Sequence, residues 1–576
     1  MQKWRVYSKK ADFDAIGSRF NIDPVTARII RNRDVTDMEN VDMYLNGTLD
    51  SLHDPMMMKD MDKAVSVIAS SIRDNKHIRI IGDYDIDGIC SIYILFKGLK
   101  ICGADVDYEV PDRITDGYGI NENLIKQAYE AGVEVIITCD NGIAAASQID
   151  YANELGMTVV ITDHHDVPYE ETDNGRRYII PKAAAVVDPK QNDCRYPFKM
   201  LCGAGIAYKF IDCMVKEFQT GDSVSVMPEL LQFAAIATVG DIVDLLDENR
   251  IIVKEGLKLI ANTGNYGLNA LMAVTGVSRE SINAYHIGFV LGPCLNASGR
   301  LDSAKRALKM LVTDDRAEAE RHAGELKDLN EERKKLTSEA VDKAVDMVEN
   351  SSLKDDKVLV IFLPDCHESI AGIVAGRIRE KYYKPVIVLT RGEQEAKGSA
   401  RSIESYNMFE KLSECKDLFT RFGGHPMAAG LSLPEENIPE FRRRINEHCN
   451  LSEEDLTETV WIDVPMPLEY INEKLILELG GLEPFGKANP KPVFADKNIS
   501  IRNIRAIGKD KQYTRMTIAK DSGIVIDAVG FFSCTELETV YNKNGRISCT
   551  YYPEINEFRD KKQIQVCVTG YRIDRI

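Results

Sequence analysis

The 576-residue chain lacks several features that would settle its class at once. No apolar run approaches the ~18 residues of a membrane-spanning helix, and no hydrophobic core of a signal peptide follows Met1-Gln2-Lys3-Trp4-Arg5. Membrane-spanning and secreted classes are therefore excluded at this stage, and a cytoplasmic protein is expected. None of the 13 cysteines is spaced Cys-x-x-Cys, and their number is odd. That argues against a zinc knuckle or a disulfide framework and for reduced, mostly buried thiols. There is no internal repeat or low-complexity stretch, and 44% hydrophobic with 28% charged residues excludes a disordered chain. Positive charge is also scarce, with 72 Lys+Arg against 90 Asp+Glu and a net charge of −18. The shortage is uneven. From Phe485 to the C-terminus 16 basic residues face 10 acidic ones, a locally basic module on an acidic body.

What is present is an alternation. Strand-like runs at 77–82, 105–110, 133–139, 157–162 and 184–188 have helical patterns between them, for example 120–132 and 143–155. Near-continuous β-branched strands alternating with helices predict a parallel sheet covered on both faces. A charged segment from about 314 to 349 spaces Leu326, Leu329, Leu336, Ala340 and Ala344 as a long helix would. A second α/β pattern follows, with strands at 358–362 and 385–389 around a helix near 370–383. Beyond about 455, alternating strands between turn residues predict a small β-barrel. The length suits three or four domains. The expected division is a helical N-terminal segment (1–60), an α/β domain (61–310), a connecting helix (311–352), a smaller α/β domain (353–452) and the barrel (453–576).

Chemistry concentrates at strand ends. Asp83-Tyr84-Asp85-Ile86-Asp87-Gly88 follows the first strand, and three carboxylates in so short a turn repel one another unless a cation holds them. An Asp-rich helix cap is the bland alternative. Asp140 ends another strand, and Asp163-His164-His165 a third, in a chain with only nine histidines. Asp241 follows an apolar helical run. In an open parallel sheet such ends converge on one edge. Mixed carboxylate and imidazole ligands suit manganese or magnesium, and two such ions can clamp a phosphodiester and activate water. The predicted chemistry is phosphoester hydrolysis.

These residues, in this order, resemble the motifs of the DHH phosphoesterase superfamily. The resemblance implies two divalent cations, Mn²⁺ or Mg²⁺, with Asp85 on one and Asp87 on the other, Asp140 bridging, and His164 and Asp241 completing the shells. Asp83 matches an extra acidic position, His165 would face the phosphate, and Asp163 would orient its neighbours. Gly423-Gly424-His425-Pro426-Met427-Ala428-Ala429-Gly430 resembles the glycine-rich signature of the DHHA1 domain, with Gly423 and Gly424 allowing close approach to a phosphate and His425 donating to it. Pro111-Asp112-Arg113 leading into Gly117-Tyr118-Gly119, Asn296-Ala297-Ser298-Gly299-Arg300-Leu301, Lys397-Gly398-Ser399-Ala400-Arg401-Ser402 and Pro484-Phe485-Gly486-Lys487-Ala488-Asn489-Pro490 narrow the likeness to the RecJ family of bacterial single-strand-specific DNA exonucleases.

That resemblance implies Arg113, Arg300 and Ser402 near the terminal nucleotide and its 5′ phosphate. It implies 5′→3′ hydrolysis of single-stranded DNA, in DNA repair and recombination, by a monomer working with a single-strand-binding protein and a helicase and without a membrane. The barrel would be an OB-fold with Tyr513, Phe531 and Phe558 as stacking faces. One departure is Cys366-His367-Glu368-Ser369, where the family pattern is Trp-His-x-Gly. Gly203-Ala204-Gly205 imitates a dinucleotide loop but has no strand directly before it, and a structural role is expected. Two alternatives stay open: a phosphodiesterase for short oligonucleotides or cyclic dinucleotides, and a non-catalytic replication scaffold.

Overall fold

In a computed structural model of the chain, which describes residues 2–113, 117, 119–173, 175–221, 223–558 and 561–574, the β-branched runs become a parallel sheet. Its strands are β1 (Ile78–Ile81), β2 (Val106–Glu109), β3 (Val135–Cys139), β4 (Thr158–Thr162) and β5 (Ala185–Val187). They lie in the order β2-β1-β3-β4-β5, every pair parallel. All of β3 is buried, as a strand covered on both faces must be. Strand order reverses at β1, so the acidic turn after it stands at the switch point where open α/β sheets bind ligands.

The helix after that turn, α1 (Ile86–Ile101), starts three residues earlier than its apolar pattern suggests, because Asp85 caps it. It is apolar nearly all round and packs between α2 (Gly203–Phe218) and α3 (Ser223–Gly240). Helix α4 (Gly292–Leu301) leads toward α5 (Arg316–Glu349), the expected long helix. Its 34 residues span about 51 Å. The Asp315 side chain accepts from the N–H groups of Ala317 and Glu318 to start it.

The second sheet orders its strands as β9-β10-β8-β7-β6. These are β6 (Leu359–Phe362), β7 (Val386–Arg391), β8 (Ala396–Arg401), β9 (Arg421–His425) and β10 (Ala428–Leu433), with α6 (Glu368–Tyr382) between the first two. Only β6 and β7 run parallel; the rest form antiparallel pairs. The barrel contains β11 (Phe494–Ile507), β12 (Tyr513–Ala519), β13 (Val525–Gly530), β14 (Arg546–Phe558) and β15 (Lys561–Ile573), and closes where β11 pairs with β14.

Contacts divide the chain into two compact units that do not follow chain order. One contains Pro55–Asp241 and Leu259–Glu458, so both α/β sheets and the long helix belong to it. The other joins Trp4–Asp54 and Ile242–Lys258 to the barrel stretch Thr459–Ile576. Within this second unit the ties are buried and polar. Arg33 holds Asp463 through Nη1 at 2.6 Å and Nη2 at 3.1 Å. Arg250, almost completely buried, donates to the carbonyls of Tyr44, Gly481 and Leu482. Asn489, from the Pro484–Pro490 segment, accepts from the Tyr44 hydroxyl and donates to Leu482 and Pro484. All 13 cysteines are free thiols, and 11 are buried. No helix among the described residues is long and apolar enough to cross a membrane.

Candidate metal centre and phosphate cleft

The strand ends converge. Asp83 and Asp85 share a group with Asp140, Asp87 shares one with His164 and Asp241, and Asp140 meets His164 and His165 in a third. Within each group the potential ligand atoms lie within 4.8 Å of one another. Asp140 thus stands both in the group with Asp83 and Asp85 and in the group with the two histidines. His164 Nε2 stands 3.0 Å from Asp140 Oδ1, 3.5 Å from Asp87 Oδ2 and 3.8 Å from Asp241 Oδ2. The backbone is strained at this edge: Asp140 has φ 59°, and Ile242, directly after Asp241, has φ 57°. Positive φ is costly for a β-branched residue and clusters at functional sites.

Asp85 is a helix cap that also stands in an acidic group. Its Oδ1 accepts from the N–H groups of Asp87 and Gly88, so it is the helix cap, and its carboxylate also faces Asp83 and Asp140. Asp87 is held from elsewhere. The N–H of Gly203 donates to Asp87 Oδ2 at 2.6 Å and that of Ala204 to Oδ1 at 2.8 Å, so the start of α2 grips both oxygens. A Cβ on Gly203 would stand 2.8 Å from Asp140 Cβ and 3.1 Å from Asp87 Oδ2. Gly203-Ala204 is thus a positioning device for the cage, more than the generic structural role expected of it. Asn296 of α4 accepts from the N–H of Ile86 at 2.8 Å and steadies the same turn.

Electrostatics divides the histidines. Burial and the neighbouring His165 pull His164 down to about 3, leaving it neutral and able to bind a metal. Burial opposes charge on His165 as well, but its hydrogen bond to Asp163 and the nearby carboxylates raise it to about 9. Asp163 Oδ1 accepts from His165 Nδ1 at 2.8 Å and from the N–H of His164, while Oδ2 accepts from the N–H of Ile143. Both oxygens are thus engaged in orienting the pair. Although burial pushes the Asp163 carboxyl up, its histidine partners carry it below the usual range.

The opposite wall is cationic. Burial lowers Arg300 to about 10, with Arg113, Arg333 and Arg401 adding repulsion. Arg300 Nη1 donates to the carbonyl of Ser369, and Arg113 stacks 4.9 Å from the Tyr84 ring centroid. Tyr84, between Asp83 and Asp85, joins this cluster to the acidic turn. A cleft of about 500 Å³ opens here, lined by Tyr84 and Arg113 on one side and by β8–β10 on the other.

Register explains which sheet residues reach that cleft. On β8, Lys397, Ser399 and Arg401 share one face, while Ala396, Ala400 and the following Ser402 turn to the core. Ser402, expected near the terminal nucleotide, is buried and donates to the Tyr406 carbonyl at 2.6 Å. On the opposite face of the same segment, Ser399 lines the cleft and Arg401 lies near Arg300. Alternation along a strand was the signal that could have found them. Gly423 faces the cleft with open space around it, but Gly424 (φ 148°) faces away, where a Cβ would meet the Ala428 carbonyl oxygen at 2.4 Å. His425 is exposed, and its charge is felt by Asp166, close to the histidine pair. Tyr118 lies outside the described residues. On the barrel, Tyr513 and Phe531 pair edge to face at 5.5 Å, with Phe531 70% exposed, and the side chain of Phe558 lies outside the described residues. His367 caps α6 by accepting from the N–H of Ser369, and Cys366 beside it is half-buried.

The cage fits divalent cations. Buried Asp83 Oδ1 has no hydrogen-bond partner among the described residues. Burial and the neighbouring Asp85 raise Asp83 to about 8 and Asp87 to about 6, and burial with four surrounding carboxylates pushes Asp140 well above the usual range. Such repulsion is relieved by bound positive charge. A switch-point cage of carboxylates and one neutral imidazole, facing a cationic cleft on a second sheet, defines a metal-dependent phosphoesterase.

Comparison with known proteins agrees with that class. Residues 77–238 match the DHH family N-terminal domain, 355–451 the DHHA1 domain and 462–570 the RecJ OB domain. The chain belongs to the RecJ family. It is 37% identical to the single-stranded-DNA-specific exonuclease RecJ of Bacillus subtilis over 98% of this chain and 70% of that one. It is 32% identical to the Haemophilus influenzae protein of the same name over 96% and 97%. The crystal structure of RecJ with Mn²⁺ from Thermus thermophilus superimposes with a TM-score of 0.81 at 26% identity, covering 100% of this chain and 80% of that one.

Proposed function

We propose that the chain is a single-strand-specific 5′→3′ exodeoxyribonuclease that releases mononucleotides with two Mn²⁺ or Mg²⁺ ions. One observation carries this reading: the cage and the arginine cluster share a single turn, with Tyr84 between Asp83 and Asp85. An anchor for a terminal phosphate so near the hydrolytic centre suits removal of end residues over internal cleavage. Asp85, Asp87, Asp140, His164 and Asp241, with Asp83, would hold the ions, which supply Lewis acidity and an activated water. Arg113, Arg300 and Arg401, with Ser399, hold the terminal phosphate through guanidinium forks. His165, kept protonated by Asp163, donates to the phosphate beside the cage, and His425 approaches from the second sheet. Asp163 is a positioning residue.

The exposed Phe531 ring and the half-buried Tyr513 beside it, on a basic barrel, suit stacking of single-stranded bases. The division into five consecutive domains, a cytoplasmic monomer, and cooperation with a single-strand-binding protein and a helicase in DNA repair and recombination complete the proposal. Digestion of end-labelled strands, with and without a 5′ phosphate and across metal ions, tests it. Mononucleotide release from the phosphorylated 5′ end of single strands is expected. Blunt duplex degraded as fast as single strands would overturn it.

A further inference from the structure

The second sheet carries three rows of residues on one face, set by its antiparallel register, and the second and third of them line the cleft. Arg401 stands opposite Ala428, and Ala428 opposite His425. Two residues along, Ser399, Gly430 and Gly423 form the next row. Two further, Lys397, Ser432 and Arg421 form the third. Side chains directly opposite in such pairs point to the same side. Two cationic rows therefore flank a middle row with no side chain larger than serine, and four residues of strand rise set them about 14 Å apart. A Cβ on Gly423 would meet nothing within 4 Å, and one on Gly430 only the Gly398 carbonyl oxygen at 4.0 Å. The space above this bare floor belongs to the cleft of about 500 Å³, within the range of ~300–1,000 Å³ that small-ligand sites occupy.

The outer row is not neutralised. Lys397 pairs with Glu368 at 2.7 Å, but Arg421 has no ion-pair partner among the described residues, and the Ser399 hydroxyl makes no hydrogen bond among them. Arg421 is exposed at the cleft edge. The arginine cluster at the inner row already provides for one phosphate. Arg421, at the far end of this floor, offers a cation to a second phosphate within the same cleft.

We propose that this trough is a second subsite, binding a nucleoside 5′-monophosphate unit beyond the terminal-phosphate anchor, with Arg421 as its phosphate ligand. The inference rests on the exonuclease reading of the same cleft. The unit has two possible sources: the first nucleotide of a strand seated one step further in, or a free mononucleotide product. In the first case the strand is cut one position later, and the same phosphodiester hydrolysis releases a 5′-phosphorylated dinucleotide.

The test uses the full chain and two variants, Arg421→Ala and Gly430→Val, with thermal melts to check folding. Strands labelled at the 5′ phosphate are digested with Mn²⁺, and the labelled product is sorted into mono- and dinucleotide. Inhibition by added deoxyadenosine 5′-monophosphate is measured alongside. The strand source predicts that the dinucleotide share falls about fivefold or more in both variants. The free-product source predicts instead that the inhibition constant rises by a similar factor. Product size and inhibition both unchanged in both variants would overturn the proposal. Absence of any hydrolysis by the unmodified chain would count against the exonuclease reading instead, and calorimetric binding of the same mononucleotide in EDTA would still read the trough, its loss in the variants supporting the subsite and its persistence excluding it.

Discussion

Substitution of Gly203 by alanine tests the metal cage without touching a ligand. The added methyl would sit 2.8 Å from Asp140 Cβ and 3.1 Å from both Asp140 Cα and Asp87 Oδ2, against the ~3.5–4.0 Å of ordinary carbon contacts. Asp140 lies at the end of β3 and cannot yield easily, so the start of α2 must retreat by roughly 0.7 Å or more to restore such contacts. The 2.6 Å hydrogen bond from the Gly203 N–H to Asp87 would then stretch past 3.2 Å, the outer limit of a good N–H···O bond. Overpacking of this kind costs about 1–3 kcal/mol. Loss of a partner that orients a metal ligand typically costs ~10–100-fold in metal affinity or activity. The expected result is a right-shifted Mn²⁺ dependence of single-strand hydrolysis by about that factor. The control is Gly205→Ala, whose methyl makes only ordinary contacts, with Leu201 Cδ2 at 3.4 Å, Leu201 Cβ at 3.6 Å and Cys202 Sγ at 3.8 Å, and should change little. If Gly203→Ala and Gly205→Ala titrate with Mn²⁺ alike, the assignment of α2 as the grip on Asp87 is wrong.

Other outcomes follow from the same geometry. Asp140→Asn should abolish hydrolysis yet raise the melting temperature in EDTA, because it removes one of five mutually repelling carboxylates while cancelling the stabilisation by Mn²⁺. Folding raises Asp83 to about 8 and Asp87 to about 6 from an ordinary 3.8. The metal-free folded chain therefore holds protons that the unfolded chain has lost. The contribution of these two groups to its stability is fully present below about pH 4 and is lost as pH rises through about 6 and then about 8, which the difference between thermal melts in EDTA and in Mn²⁺ should trace. Arg300→Ala should remove about 10-fold or more of the preference for a 5′-phosphorylated end, measured as kcat/KM on matched strands. Ser399→Ala should raise KM for phosphorylated strands, whereas Ser402→Ala should leave KM alone and cost about 1 kcal/mol in denaturant unfolding, the worth of its buried hydrogen bond to Tyr406.

The residues of the acidic cage were legible because each stands where a local rule places it. Asp83, Asp85, Asp87, Asp140 and His164 all follow β-branched runs, and parallel strands bring their carboxyl ends to one edge whatever the rest of the chain does. The long helix was legible for a similar reason, since its apolar spacing and Asp315 cap are properties of consecutive residues. Ser402 shows where such reading stops. The segment Lys397–Ser402 was expected beside the substrate and its first residues line the cleft, but which of its side chains face that way depends on strand parity, and only the pairing with β10 sets that.

The sequence by itself determined the chemistry: a set of carboxylates and one imidazole at successive strand ends, too crowded to be stable without cations, and a glycine-rich segment on a second sheet. Tertiary structure decided the rest, for reasons of distance along the chain. The N–H groups that hold Asp87 belong to Gly203 and Ala204, more than a hundred residues away, and backbone donors leave no mark on residue identity. The division between a neutral His164 and a charged His165 comes from burial and from Asp163, although the two are adjacent in sequence. Recruitment of residues 4–54 and 242–258 to the barrel rests on Arg33 and Arg250, whose partners lie hundreds of positions downstream. Side-chain type is written locally, whereas the direction of a donor and the dielectric around a charge exist only once the chain has packed.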